Sequence, residues 1–283
     1  MSPLDPTDLL EVTTRGIADL LRGVDRLGVA FSGGVDSAVL LALAVRALGP
    51  TRVIAVLGVS ASLAARERED AHAVARFIGV PVIEVVTREG EDPAYQANGV
   101  DRCFYCKDEL FSRIDDELVV AQGLTAVAYG ENADDAARID RPGARAAVEH
   151  RVLRPLAELG LTKTDVRALA RAMRLPCADK PAAPCLASRI PHFEPVTEEK
   201  LRQIDRAEAA LADLGLSEFR VRHHGDLARI ELAPADLAAA TAEPLRGEVE
   251  AAVLEAGFGQ VTIDLAGLQS GRFTLSVLQE RRG

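Results

Sequence analysis

Ser32-Gly33-Gly34-Val35-Asp36-Ser37 carries the densest potential chemistry in this chain. Its two glycines let backbone approach a ligand with no Cβ in the way. The apolar run 27–31 before it and the helix-forming run 38–48 after it make the hexapeptide a strand-to-helix turn. Such a turn offers unpaired N–H groups and the positive end of a helix dipole, which suit a phosphate. Ser32 and Ser37 add hydroxyl donors. Asp36 would repel a bare phosphate, so its carboxylate points to a bridging Mg²⁺. The bland alternative is an ordinary polar turn between strand and helix.

Other residues could join that turn. Tyr129-Gly130-Glu131-Asn132-Ala133-Asp134-Asp135 follows a strand-like run. Its acidic and amide groups suit Mg²⁺ or the ribose and adenine of a nucleotide, or simply cap a helix. Lys163 can neutralise a phosphate, while Thr162 and Asp165 around it have capping-box spacing. Cys103 and Cys106 form a C-x-x-C pair, with Cys177 and Cys185 well downstream. These thiols admit three readings: buried apolar filler, a zinc site, or three corners of an Fe–S cluster on Cys103, Cys106 and a distal cysteine. Cys185 sits in Lys180-Pro181-Ala182-Ala183-Pro184-Cys185-Leu186-Ala187-Ser188-Arg189. Basic neighbours there favour a thiolate, which can attack an activated carboxylate and displace AMP. Arg220 and Arg222 alternate along a strand, so both guanidiniums share a face that can hold phosphate or carboxylate, or can merely be solvated.

Strand and helix patterns alternate through the first 180 residues. Strands are expected over 27–31, 52–59, 80–86, 126–129 and, as a short fifth, 153–156. Helices are expected over 37–48, 62–78, 105–121 and 163–173. This is the pattern of an α/β domain with a twisted parallel sheet, whose ligands sit at the carboxyl ends of the strands. Residues 181–195, rich in proline and holding Cys185, read as an active-site loop. Residues 196–283 read as a smaller α+β domain: a helix over 197–214 with Thr197 as N-cap, strands over 219–223 and 228–232 around a Gly-Asp turn, a helix over 246–256, and strands over 260–265 and 273–278. The chain has 283 residues, 4 cysteines and a net charge of −10. The acidic balance argues against nucleic acid as a partner. With no apolar run of membrane-spanning length and no signal-peptide pattern near the start, a cytoplasmic protein is expected, and its cysteines are more suited to chemistry than to disulfides.

The glycine turn resembles the pyrophosphate (PP) loop of the ATP pyrophosphatase superfamily, whose members cleave ATP between the α- and β-phosphates and adenylate a substrate. Further segments, 101–107, 129–135, 155–167, 180–189, 220–229 and 264–271, together resemble the LarE-type ATP-dependent sacrificial sulfur transferases, with the segments 180–189 and 264–271 the most specific. Pro184 and Leu268-Gln269 depart from that pattern. The resemblance implies adenylation of pyridinium-3,5-biscarboxylic acid mononucleotide by ATP and Mg²⁺, then sulfur insertion to give a thiocarboxylate, a precursor of the nickel-pincer cofactor of lactate racemase. It implies ATP and Mg²⁺ at Ser32, Gly33, Gly34, Asp36, Ser37, Asn132 and Lys163, and substrate at Ser188, Arg189, Arg220 and Arg222. Cys185 is then the sulfur donor, or a ligand with Cys103 and Cys106 of a [4Fe–4S] cluster that donates sulfide. The expected partner is a small nucleotide, with no nucleic acid and no membrane, and a homo-oligomer is expected. Rival readings are a tRNA thiolase of the same superfamily, an ammonia-using ligase like NAD synthetase, and a nucleotide-binding regulator.

Overall fold

The computed structural model describes residues 5–138 and 142–268. The strand expected over 273–278 and the end of the segment 264–271 lie outside them. The chain divides into two compact units. Of the described residues, the first takes in those up to Ser60, Arg66–Glu89 and those from Cys103 to Ala183; the second takes in Ala61–Ala65, Gly90–Arg102 and those from Pro184 on.

The first unit is built on four short strands: β1 (Leu27–Ala30), β2 (Val53–Val59), β3 (Val82–Val86) and β4 (Ala126–Tyr129). They pair in the order β3-β2-β1-β4, all parallel. β1 and β2 are almost wholly apolar because helices cover both of their faces. One layer holds α1 (Pro6–Leu20), α2 (Val35–Leu48) and α6 (Lys163–Ala172). Every residue of α2 from Val39 to Ala44 is buried, so this helix is core on all sides. The other layer joins α4 (Arg102–Arg113) and α5 (Pro142–Glu149) to the sheet through Phe111, Ala146 and Ala147. α3 (Ala65–Ile78) connects β2 to β3.

Two expectations in this unit need correction. The helix expected over 105–121 is α4 followed by a π-helical turn, Ile114–Leu118, and one further helical turn, Val119–Gln122. The fifth strand is a single bridge between Ala128 and Leu153. Pro155 has no N–H to give a ladder and instead starts the helical turn Pro155–Glu158.

The second unit is α+β. α7 (Glu198–Asp213) is capped by Thr197 and turns Leu201, Ile204, Ala207 and Leu211 inward. It packs on β5 (Phe219–His224) and on α8 (Leu245–Glu255). β5 and β6 (Leu227–Leu232) form an antiparallel hairpin, and β7 (Gln260–Ile263) adds to β6 in parallel. Gly225 closes the hairpin at φ +66°, where a side chain would be strained. A 3₁₀ turn, Leu186–Arg189, follows Cys185 and packs on α7 and β5. No helix among the described residues is long and apolar enough to cross a membrane.

Candidate active site

The glycine turn leaves the carboxyl end of β1 and enters α2. Gly34 is the N-cap, so no side chain takes the first-turn N–H groups of the helix. The turn is held from within: Ser37 Oγ donates to the Gly34 carbonyl at 3.0 Å and accepts from the Ser32 N–H at 3.3 Å. Gly33 adopts φ +74°, and a Cβ there would stand 2.8 Å from both Cα and Cβ of Ala71 on α3. The loop therefore lies flat on a neighbouring helix, which only glycine allows.

Asp36 is where three elements meet. Asn132, after β4, donates its amide to Asp36 Oδ1 at 3.0 Å. The Lys163 ammonium, at the start of α6, is paired with Asp36 Oδ2. Gly130 makes this approach possible, since a Cβ on it would lie 2.7 Å from the Ser37 nitrogen. Asn132 also caps its own helical turn by accepting from the Asp135 N–H at 2.9 Å, so the capping role and the contact to Asp36 coexist. The Thr162–Asp165 capping box is formed, and Asp134 accepts from the Lys163 N–H at 2.7 Å. The turn, a carboxylate, an amide and an ammonium thus gather at the carboxyl edge of the sheet beside the junction of β1 and β4, where the strand order reverses. The donor set fits Mg²⁺ with a phosphate: a hard carboxylate oxygen, helix-start N–H groups and one cation.

The second unit carries a buried arginine cluster around Cys185. Cys185 is exposed and is the N-cap of the 3₁₀ turn. Arg189, in that turn, makes a two-pronged contact with Glu208 of α7, 2.9 Å on each side, and donates to the Pro184 carbonyl at 2.6 Å. Arg222 donates to the Ser188 carbonyl at 2.8 Å and to Glu231 at 2.7 Å. Glu231 is fully buried and also faces Arg229 at 3.4 Å. Arg220 is 7% exposed. Burial, then the nearby charges of Arg222 and Arg189, lower its pKa, with Glu231 and Glu208 offsetting part of the effect. Arg220 and Arg222 are thus buried, not on a solvated face. Arg189 and Arg222 thus hold the backbone on both sides of Cys185, through the carbonyls of Pro184 and Ser188, while Glu208 and Glu231 balance their charge.

The remaining cysteines divide. Cys103 and Cys106 lie one helical turn apart on α4, in the first unit, whereas Cys185 belongs to the second. Cys177 is buried, and burial pushes its thiol up, so it stays protonated as a small core residue. Among the described residues, no three His, Cys, Asp or Glu side chains gather as a metal site. Lys180 spends its charge on Glu67 and Asp70, at 2.9 and 2.7 Å, rather than on a thiol. Sequence reasoning missed Glu208 and Glu231. Their partners lie 19 and 9 residues away, across a helix and a hairpin, and only the folded register brings them together.

A strand–glycine turn–helix motif of this form, on a parallel sheet, with a carboxylate and a lysine converging on it, defines a PP-loop ATP pyrophosphatase. A protein-family model described as asparagine synthase matches residues 8–134. An uncharacterized protein of Synechocystis sp. is 41% identical over 264 residues, which cover 93% of this chain and 97% of that protein. The pyridinium-3,5-bisthiocarboxylic acid mononucleotide synthase of Lactiplantibacillus plantarum is 34% identical over 252 residues, 89% of this chain and 90% of the synthase. The chain belongs to the family of these two proteins, within the PP-loop ATP pyrophosphatase superfamily.

Proposed function

We propose that this protein is a LarE-type ATP-dependent sulfur transferase, acting on a carboxylate of pyridinium-3,5-biscarboxylic acid mononucleotide and serving nickel-pincer cofactor synthesis. The single observation that carries the reading is the pairing, in one chain, of an Asp36–Lys163–Asn132 site at a glycine turn with an exposed Cys185 whose flanking backbone is held by buried arginines. The similarity to the L. plantarum synthase supports the choice of substrate.

In this reading the turn Ser32–Ser37 and Lys163 hold the phosphates of ATP, and Asp36 holds Mg²⁺, which offsets phosphate charge. A substrate carboxylate oxygen attacks the α-phosphate, giving an acyl adenylate and releasing pyrophosphate. Arg220 and Arg222, with Ser188 and Arg189, retain the anionic substrate. The Cys185 thiolate attacks the acyl carbon and AMP leaves. Loss of the Cα proton then breaks the Cβ–S bond, leaving dehydroalanine in the protein and sulfur in the product. A [4Fe–4S] cluster, the other donor the resemblance implies, would supply the sulfide in place of the Cys185 sulfur. A net charge of −10 supports a small nucleotide over tRNA as substrate.

The test is Cys185→Ser. A serine has no sulfur to give, so thiocarboxylate formation should stop while substrate-dependent pyrophosphate release persists. Wild-type protein should lose about 34 Da, once per chain, if the cysteine is consumed, and keep its mass while losing sulfide if a cluster donates. Thiocarboxylate made by Cys185→Ser at the wild-type rate would end the proposal.

A further inference from the structure

The exposed Cys185 sits on a mount of buried groups, part of which comes from a distant segment. Residues 90–102 belong to the second unit although the chain around them belongs to the first. Asn98, fully buried at φ +54°, donates its amide to the carbonyls of Pro191 at 2.7 Å and Glu194 at 2.9 Å. Its own carbonyl accepts from the Phe193 N–H at 3.1 Å and lies 3.2 Å from His192 Nδ1. Arg102, 7% exposed, donates one Nη to Asn98 Oδ1 at 2.5 Å and to the Ala187 carbonyl at 2.9 Å. Ala187 is in the 3₁₀ turn that Cys185 caps. Ser62 completes the mount by accepting from the Leu186 N–H at 2.9 Å.

We propose that Arg102 and Asn98 are positioning residues for Cys185: a buried guanidinium–amide pair that fixes the backbone carrying the thiol. The inference rests on the sulfur-transfer reading, but its geometric half does not. A buried guanidinium that donates to the Ala187 carbonyl and to Asn98 Oδ1, while the Asn98 amide holds the carbonyls of Pro191 and Glu194, is a charge-assisted brace, stronger than a neutral contact. The acyl adenylate is made at the glycine turn, so an attacking thiol must be held close to its line of approach. A misplacement of about 1 Å is enough to cost about 10²-fold in rate. Asn98 and Arg102 belong to the second unit, whereas the turn, Asp36, Asn132 and Lys163 belong to the first, so the brace should bear on transfer and leave adenylation alone.

The experiment compares wild type, Arg102→Gln and Arg102→Lys as full-length protein. Hydrogen exchange of residues 186–190, read without substrate, should speed up by about tenfold or more in Arg102→Gln. In single-turnover reactions pyrophosphate release should keep its rate and its dependence on ATP concentration, while thiocarboxylate formed per pyrophosphate falls by about 10- to 100-fold. Arg102→Lys keeps the charge but not the fork, and should fall between. Exchange and transfer ratio both at wild-type values in Arg102→Gln would overturn the proposal, as would faster exchange with an unchanged transfer ratio. Wild-type protein that makes no thiocarboxylate at all would sink the sulfur-transfer reading instead, a failure the exchange measurement separates from failure of the brace.

Discussion

Alanine at position 33 is expected to damage the fold where alanine at position 34 does not. Gly33 has φ +74°, and a Cβ there meets Cα and Cβ of the buried Ala71 at 2.8 Å. A left-handed backbone costs an L-residue about 1–2 kcal/mol. Forcing a methyl group into a packed wall costs about 1–3 kcal/mol more, and part of this wall is helix backbone that cannot rotate away. The sum, about 2–5 kcal/mol, is a large share of the ~5–15 kcal/mol that holds a typical domain. Gly34 differs in both respects. Its φ is −72°, and its Cβ would meet only Ser32 Oγ, at 3.4 Å. Gly34→Ala should therefore change stability by less than about 1 kcal/mol, in either direction. Urea unfolding of the full chain followed by circular dichroism reads the difference. With a slope of about 2 kcal/mol per molar, Gly33→Ala should lower the midpoint of the affected transition by about 1–2.5 M. Equal midpoints for the two variants would refute the argument that α3 forms the wall behind the loop.

Asp36→Asn should lower pyrophosphate release by about two orders of magnitude or more, since a carboxylate is needed to hold Mg²⁺ against phosphate; its unfolding midpoint should barely move, because the Lys163 partner is partly exposed and such pairs contribute about 0–1 kcal/mol. Glu231→Gln should destabilise the second unit by about 3–5 kcal/mol by leaving Arg222 buried without its counter-charge, a loss visible as an earlier urea transition. His150 lies 3.0 Å from Asp108 and 3.0 Å from Asp115, one carboxylate at each ring nitrogen, an arrangement that requires imidazolium. Burial alone would lower its pKa, but the hydrogen bonds to Asp115 and Asp108 outweigh burial and raise it. Its stabilising effect should thus be complete below the ordinary histidine range and fade as pH climbs through the raised value; NMR titration of the ring should give a midpoint above that range, and His150→Gln should remove this part of the pH dependence of the unfolding midpoint.

The parallel sheet was readable because its strands are continuous apolar runs and each is followed by a helical period. The glycine turn was readable because glycine pairs, serine and aspartate do local work, and local work leaves local spacing. Thr162 with Asp165 and Thr197 belong to the same class, and the structure has all of these caps. What escaped was set by packing across the chain. Leu153–Leu156 had a strand's composition, yet Pro155 could not join a ladder. Arg220 and Arg222 had a strand's alternation, but their burial depends on Glu208 and Glu231, which no short window links to them. Arg102 stood out only as part of the segment 101–107 and Asn98 not at all, since the carbonyls they hold lie more than 80 residues away.

The discontinuity of the second unit also bears on synthesis. Residues 61–65 and 90–102 leave the ribosome well before Pro184, yet the residues they fold onto come after it. The whole parallel sheet, by contrast, has been made once Tyr129 has emerged. Vectorial folding therefore favours the sheet first, and the contacts of Asn98 and Arg102 to the carbonyls after Pro184 form only once the chain has grown by some 80 further positions. An expression fragment cut at Pro184 would carry Cys185 and the arginines but lack the two residues that brace them, so the natural seam of this molecule is not a place where its gene can be divided.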